Sequence, residues 1–428
     1  MPLIKISANV LSVILSFLDA KEIGRLSLVN KLFNKAGGMN HVWKGLCMKR
    51  WLFTRLEGTW KQSFVRKFLT GERMLRGNAK DYKMVPCRGH TSHIIDLLCV
   101  KEKFVSLSVN GEVFVWAYPE YIPIRLDSMY IGKLNVFQDK LMVTTSDGIL
   151  QLWELDYMNL EFSHQFRLEE TRICTWDNWI CIVGVTFGVI TGIAINIITK
   201  KICEANYTQR AFPEHITSQS ITANNSTLYC GFANSVILWN WKNDTIQSFS
   251  LIGNSICNLH TINNKIICFR QNCIETYTLS FEKLKSKIVT LNQNLSGIHD
   301  FNGIKVVAYF VQEYDYRFGG NNTGRVELAD LNTLDVVATI QMKSVINSLF
   351  FNAYHFIVGT VNNSIHVHET KDGVEKYVLL GGSMNPKTMP KSFVPHPTLS
   401  GCSKVLIDNE RIVGVFGNLI RIYHFDLD

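Results

Sequence analysis

At 428 residues the chain is longer than one ordinary hydrophobic core supports, so it calls for two modules or a repeat architecture. Hydrophobic residues at 46% and charged residues at 19% exclude a largely disordered chain. The net charge of +8 is lopsided, with 15 Lys and Arg against 4 Asp and Glu in residues 1–80 and 29 against 32 in the rest. The basic residues of the first part stand singly in helical patterns, never in a run of five, which argues against a nucleic-acid-binding arm.

Eleven cysteines, an odd number with no CxxC pair, sit in apolar runs such as Ile180 to Ile182 and Ile267 to Phe269. They read as reduced thiols of an intracellular protein, not as a disulfide framework. The apolar positions from Leu3 to Leu18 are broken by Lys5, Ser7, Asn9, Ser12 and Ser16, which is no secretory signal. The expected location is cytoplasmic, with the nucleus also open.

In chain order, residues 6–50 read as three short helices. Val10, Leu11, Ile14, Leu15 and Leu18 recur at a period near 3.6 and form one stripe. Asp19, with Glu22 three residues on, has the spacing of a capping box for a second helix, and Ile23, Leu26, Val29, Leu32 and Phe33 carry its apolar face to Gly37-Gly38. Such a hairpin holds more apolar side chains than can cover one another, so it implies a partner surface, or else a plain helical cap on the base of a propeller. Residues 60–68 read as a further amphipathic helix.

The runs Ile6 to Asp19, Leu26 to Phe33 and Val42 to Leu46 together resemble an F-box. That resemblance implies docking to a Skp1-like adaptor, and through it to the cullin and RING subunits of a ubiquitin ligase. It further implies that Ile6, Val10, Ile14, Leu18, Leu26, Val29 and Trp43 serve as apolar adaptor contacts or as the core beneath them. Ser7 stands where the family pattern has Pro, Asn9 where it has Glu, and Phe33 where Trp is common.

From residue 86 to 428 one unit recurs: apolar strand, short turn, apolar strand, Gly/Asn/Asp turn, third strand. The middle strands begin near Phe104, Leu141, Ile180, Leu228, Ile266, Val306, Phe356 and Ile412, a mean spacing of about 43 residues, as for propeller blades. The first unit opens on Gly89-His90 and closes on Trp116, and the second repeats its latter half from Thr145 to Trp153. These units resemble WD40 repeats, in which a buried His, a strand Ser or Thr and a turn acid form one polar network. The first unit holds His90, Ser108 and Trp116 for it, with Asn110 in place of the acid. A kelch propeller would need Gly-Gly in every blade, and here the pair occurs only at 319–320 and 381–382. The last unit stops after its third strand, and Tyr82 to Cys87 is placed to supply the missing fourth.

Several segments imitate other functions. Trp179 to Ile198 is twenty residues without a charge, yet its Val, Ile and Thr content and its glycines fit strands and turns better than a membrane helix. His366 and His368 alternate on one strand without a Cys or carboxylate pattern to complete a metal site. The loop Gly319 to Gly324 lacks the GK[ST] ending of a phosphate loop. No cysteine sits in a nucleophile motif, and no cofactor, metal, nucleic acid or membrane partner is expected.

The expected fold is therefore an all-α F-box-like module followed by an all-β WD40-type propeller of eight blades, with seven as the alternative count. The expected domains are an F-box over 1–50, a helical linker over 51–81 and the propeller over 82–428. An F-box followed by propeller repeats is similar to the F-box/WD40-repeat family of non-catalytic substrate receptors in SCF ligases. The implied function is to hold an unknown protein substrate on the propeller. The alternative is a propeller scaffold with no ligase role.

Overall fold

The computed structural model describes residues 7–427 apart from 51–57, 79, 119, 127–130, 146, 167, 187–188, 209–217, 233–234, 252–255, 263, 271–272, 289–294, 302–303, 314–322, 352–354, 371–372, 381–400 and 409. Contacts divide the chain into two units, one of residues 1–86, 407–413 and 421–428, the other of 87–406 and 414–420.

The first unit contains α1 (Ala8–Leu15), α2 (Ala20–Ser27), α3 (Lys31–Gly37), α4 (Asn40–Arg50) and α5 (Trp60–Arg76). The three helices expected over 6–50 are thus four. Asn30 is the reason: its side chain accepts from the N–H groups of Leu32 and Phe33, starting a new helix inside what reads as one continuous apolar face. The capping box of Asp19 and Glu22 forms as its spacing predicts. Thr59 and Gln62 make a second box ahead of α5, and Gly77, at φ +60°, ends that helix in a conformation costly for a side chain with Cβ. Leu11, Leu15, Ile23, Ala36, Val42, Trp43, Cys47 and Phe64 pack into the core of this unit.

Eight four-stranded sheets account for the described strands. Seven are simple meanders, in residues 94–125, 131–165, 169–208, 218–250, 256–288, 295–342 and 346–380. In the eighth, Lys83–Arg88 lies outermost against Leu419–His424, followed by Arg411–Phe416 and Cys402–Ile407, so the early segment fills the place predicted for it. The eight middle strands coincide with those read from the sequence, beginning at Lys103, Lys140, Trp179, Thr227, Lys265, Ile304, His355 and Arg411.

The first and second strands of a sheet are joined by two-residue hairpins closed by pairs such as Val100 and Lys103, Phe137 and Lys140, and Trp176 and Trp179. Lys101, Gln138 and Asp177 take positive φ there, the twist that a two-residue hairpin requires. The charge-free run from Trp179 becomes two such paired strands, Trp179–Thr186 and Val189–Asn196. No helix among the described residues is long and apolar enough to cross a membrane.

Neighbouring sheets build the core between them. Val105, Val113 and Val115 of the first sheet pack with Leu134, Leu141 and Val143 of the second, and the same sharing recurs from the second sheet to the seventh. Middle strands are buried along nearly their whole length, whereas the fourth strand Asn159–Gln165 is mostly exposed. Apolar burial on both faces explains why the middle strands read as continuous runs.

The polar network of the first sheet differs from its sequence reading. Trp116 Nε1 donates to Ser106 Oγ at 2.8 Å, and His90 Nε2 meets the same oxygen at 2.6 Å. Ser108 instead bonds Asn110 and the carbonyl of Glu112 at the turn. The two serines lie two residues apart on one face of the strand, so alternation cannot separate them. Register can: Trp116 lies opposite Phe104, which puts its indole next to residue 106. Ser106 Oγ thus accepts from Trp116 and shares a second hydrogen bond with His90 Nε2, while Nδ1 of that ring lies 3.7 Å from Glu112. Burial holds this imidazole down to about 4 against the pull of Glu112, so it is neutral near pH 7. Gly89 lets the chain pass close to this tryptophan, since a Cβ there would lie 3.1 Å from the Trp116 ring, tighter than ordinary contact.

Candidate functional site

The helix α1 has two apolar faces. Leu11 and Leu15, four residues apart, are buried in the helical core. Val10, Val13, Ile14 and Phe17 occupy the adjoining face and are 54%, 57%, 50% and 80% exposed. Successive residues turn by about 100°, so 10/14 and 11/15 form neighbouring ridges, which is why the sequence shows a single wide stripe. Leu28, Val29 and Leu32, around the junction of α2 and α3, add further exposed apolar surface. A contiguous exposed set of this kind on a small helical unit marks an interaction surface.

The seven residues singled out from the sequence divide accordingly. Val10, Ile14 and Val29 face outward. Leu18 and Leu26 are half-buried against the helical core, and Trp43 is buried, donating its indole N–H to the carbonyl of Gly37. Ile6 lies outside the described residues. Phe17 and Leu28 are the most exposed of the set and were absent from the sequence expectation; Phe17 could have been found there, since it continues the Val10, Ile14 ridge by one turn. Ser7, in place of Pro, caps α1 by accepting from the N–H of Val10. That departure from the F-box pattern therefore leaves the helix start intact.

The sequence decoys resolve into packing. His368 is buried, stacked on Phe356 at 4.6 Å, and its Nδ1 donates to the carbonyl of Gly373. His366 lies between Ser364 and Glu375, at 3.0 and 2.7 Å. Among the described residues no group of three or more His, Cys, Asp or Glu side chains is arranged to hold a metal ion. The loop 319–324 lies outside them, apart from Thr323 and Gly324.

Comparison with known proteins agrees with these two units. Among solved structures, the chain is similar to the computationally designed Ika8 protein, with a TM-score of 0.58 and 15% identity over 79% of this chain and 98% of that one. It also resembles BamB from Moraxella catarrhalis, at 0.54 and 8% over 80% and 99%, and the WD40 domain of SCAP from fission yeast, at 0.50 and 11% over 81% and 99%. Identities this low speak to the fold alone, and the fold is that of a WD40-type β-propeller preceded by helices. No family model matches the chain. In sequence, it is 28% identical over 211 residues to the mouse (Mus musculus) F-box/WD repeat-containing protein 15, covering 41% of this chain and 44% of that relative. The match thus spans less than half of the relative's length. The helices, the repeated sheets and this match together make the chain similar to F-box/WD repeat proteins.

Proposed function

We propose that the chain is the substrate-recognition subunit of an SCF-type E3 ubiquitin ligase, working in the cytoplasm. The helical unit docks a Skp1-like adaptor, and the propeller holds the protein to be modified. The observation that carries this reading is the outward ridge of Val10, Ile14 and Phe17 with Leu28 and Val29, apolar surface that a partner's own apolar groove would cover. The chain itself does no chemistry. It raises the effective concentration of a substrate's lysines at the ubiquitin-charged enzyme of the complex.

Co-purification with Skp1 tests the reading. Ile14→Asp and Phe17→Asp each abolish it while leaving the unfolding midpoint unchanged, because both side chains already lie in water. An intact protein that retains no Skp1 ends the proposal and leaves the propeller as a scaffold.

A further inference from the structure

Each sheet ends in an outermost strand whose outer row of backbone N–H and C=O groups has no neighbour in its own sheet. All but two of these strands carry a charged residue or a proline within them, as Lys83–Arg88, Pro123–Arg125 and Lys283–Ile288 do, and such residues discourage pairing with a foreign strand. The exceptions are Thr245–Ser250 of the fourth sheet and Val336–Met342 of the sixth. Among the described residues no backbone hydrogen bond reaches either strand from outside its own sheet.

The two exceptions differ at their ends. Val336–Met342 is bracketed by Asp335 and Lys343, both exposed and neither in an ion pair among the described residues. Along an extended chain they stand about 27 Å apart, too far to reach each other within one molecule. Thr339 lies midway between them. Thr245–Ser250 has Asp244 before it, which accepts from the Trp239 indole at 3.3 Å, and uncharged Leu251 after it. The register of Val336–Met342 breaks once, at Val337, and Ala338 to Met342 pair regularly with Leu328 to Gly324. The centre of the strand is thus a regular edge, with Thr339 and Gln341 exposed.

We infer that a second copy of this chain pairs antiparallel on Val336–Met342 about a two-fold axis at Thr339, joining two four-stranded sheets into one. Such an axis sets one residue opposite itself, and each residue before it opposite the residue equally far after it. With Thr339 facing Thr339, Asp335 of each copy comes opposite Lys343 of the other, and exposed Val337 meets exposed Gln341. Cross-strand threonines and opposite charges both stabilise an antiparallel pair. An axis one residue to either side sets Asp335 opposite Gln341 or Val345, so charge selects the register. The long, flexible Lys343 side chain takes up the offset that the break at Val337 introduces. One strand pair buries little surface, so the dimer forms at about 10–100 μM. It carries two propellers, and a partner with two recognition segments gains avidity from both.

The test is sedimentation velocity of the full chain from about 5 to about 200 μM at low ionic strength, where it passes from monomer to dimer. Asp335→Lys and Lys343→Asp each weaken the dimer at least about tenfold. The double variant, which restores opposite charges, recovers the wild-type constant to within about threefold. All three keep the wild-type melting temperature, because both side chains are exposed. Thr339→Cys gives a disulfide-linked dimer under mild oxidation, since directly opposed Cα atoms lie about 4.5 or 5.5 Å apart, within disulfide reach. Gln247→Cys, on the other uncharged edge, cross-links no more than the wild type. A chain that stays monomeric throughout, a dimer indifferent to the charge reversals or not restored by the double one, or no cross-link from Thr339→Cys overturns the proposal. Skp1 co-purification of the same variants reads the receptor hypothesis separately, since none of these residues belongs to the helical unit.

Discussion

Arg66 on α5 grips Asp426, 360 residues later in the chain, with its Nε on one carboxylate oxygen at 3.1 Å and its Nη2 on the other. The pair is asymmetric in its exposure to water, the aspartate side chain being 3% exposed and the arginine 30%. The two truncations should therefore differ. Arg66→Ala strands a buried charge and costs about 3 kcal/mol, whereas Asp426→Ala leaves an arginine that water can reach and costs about 1 kcal/mol. Denaturant unfolding of the two variants checks the order, and equal losses would show that the carboxylate is not buried as described.

The two serines of the strand Lys103–Ser108 form a similar contrast. Ser106→Ala removes the partner of both Trp116 and His90 and costs about 2–3 kcal/mol, while Ser108→Ala removes a turn contact worth about 1 kcal/mol. Equilibrium unfolding decides between them, and the reverse ranking would restore the network expected from sequence.

Stability falls on mild acidification. Burial holds His90, His355 and His368 at about 4, below the 6.5 of a free imidazole. The unfolded chain therefore binds more protons than the folded one across that interval. Each histidine's contribution is complete above 6.5 and disappears as the pH drops through 4, amounting to about 2 kcal/mol by pH 5. His368→Phe should narrow the drop in melting temperature between about pH 7 and pH 5; an unchanged drop would assign the acid sensitivity elsewhere.

On α1, Leu15→Ala costs about 3 kcal/mol through the cavity it leaves, and Phe17→Ala stays within about 0.5 kcal/mol of the native protein. Chemical denaturation of the pair measures how far burial separates two residues that are alike in hydropathy.

Periodicity exposes much of this architecture. Strands buried on both faces, such as Leu141 to Thr145, appear as unbroken apolar runs, and their regular spacing locates all eight sheets. Fourth strands such as Lys283–Ile288 are exposed and polar, so nothing in their composition separates them from loops. Asn30 shows why helix counting fails locally, since one side-chain oxygen restarts a helix without interrupting the apolar pattern. For the docking face, pattern identifies the stripe but not which ridge turns inward, because Val10 and Leu11 are chemically equivalent until the core selects Leu11.

The strand Lys83–Arg88 precedes the other described strands in the chain, and its partner Leu419–His424 comes after them. On the ribosome it emerges more than 330 residues ahead of the edge it joins. Its backbone donors and acceptors wait unpaired while seven other sheets are synthesised, and the eighth sheet becomes complete only once residue 424 has emerged. A chain that stops between residues 380 and 419 carries the strands of seven sheets and an orphaned Lys83–Arg88, whose unpaired edge groups are open to the wrong partner.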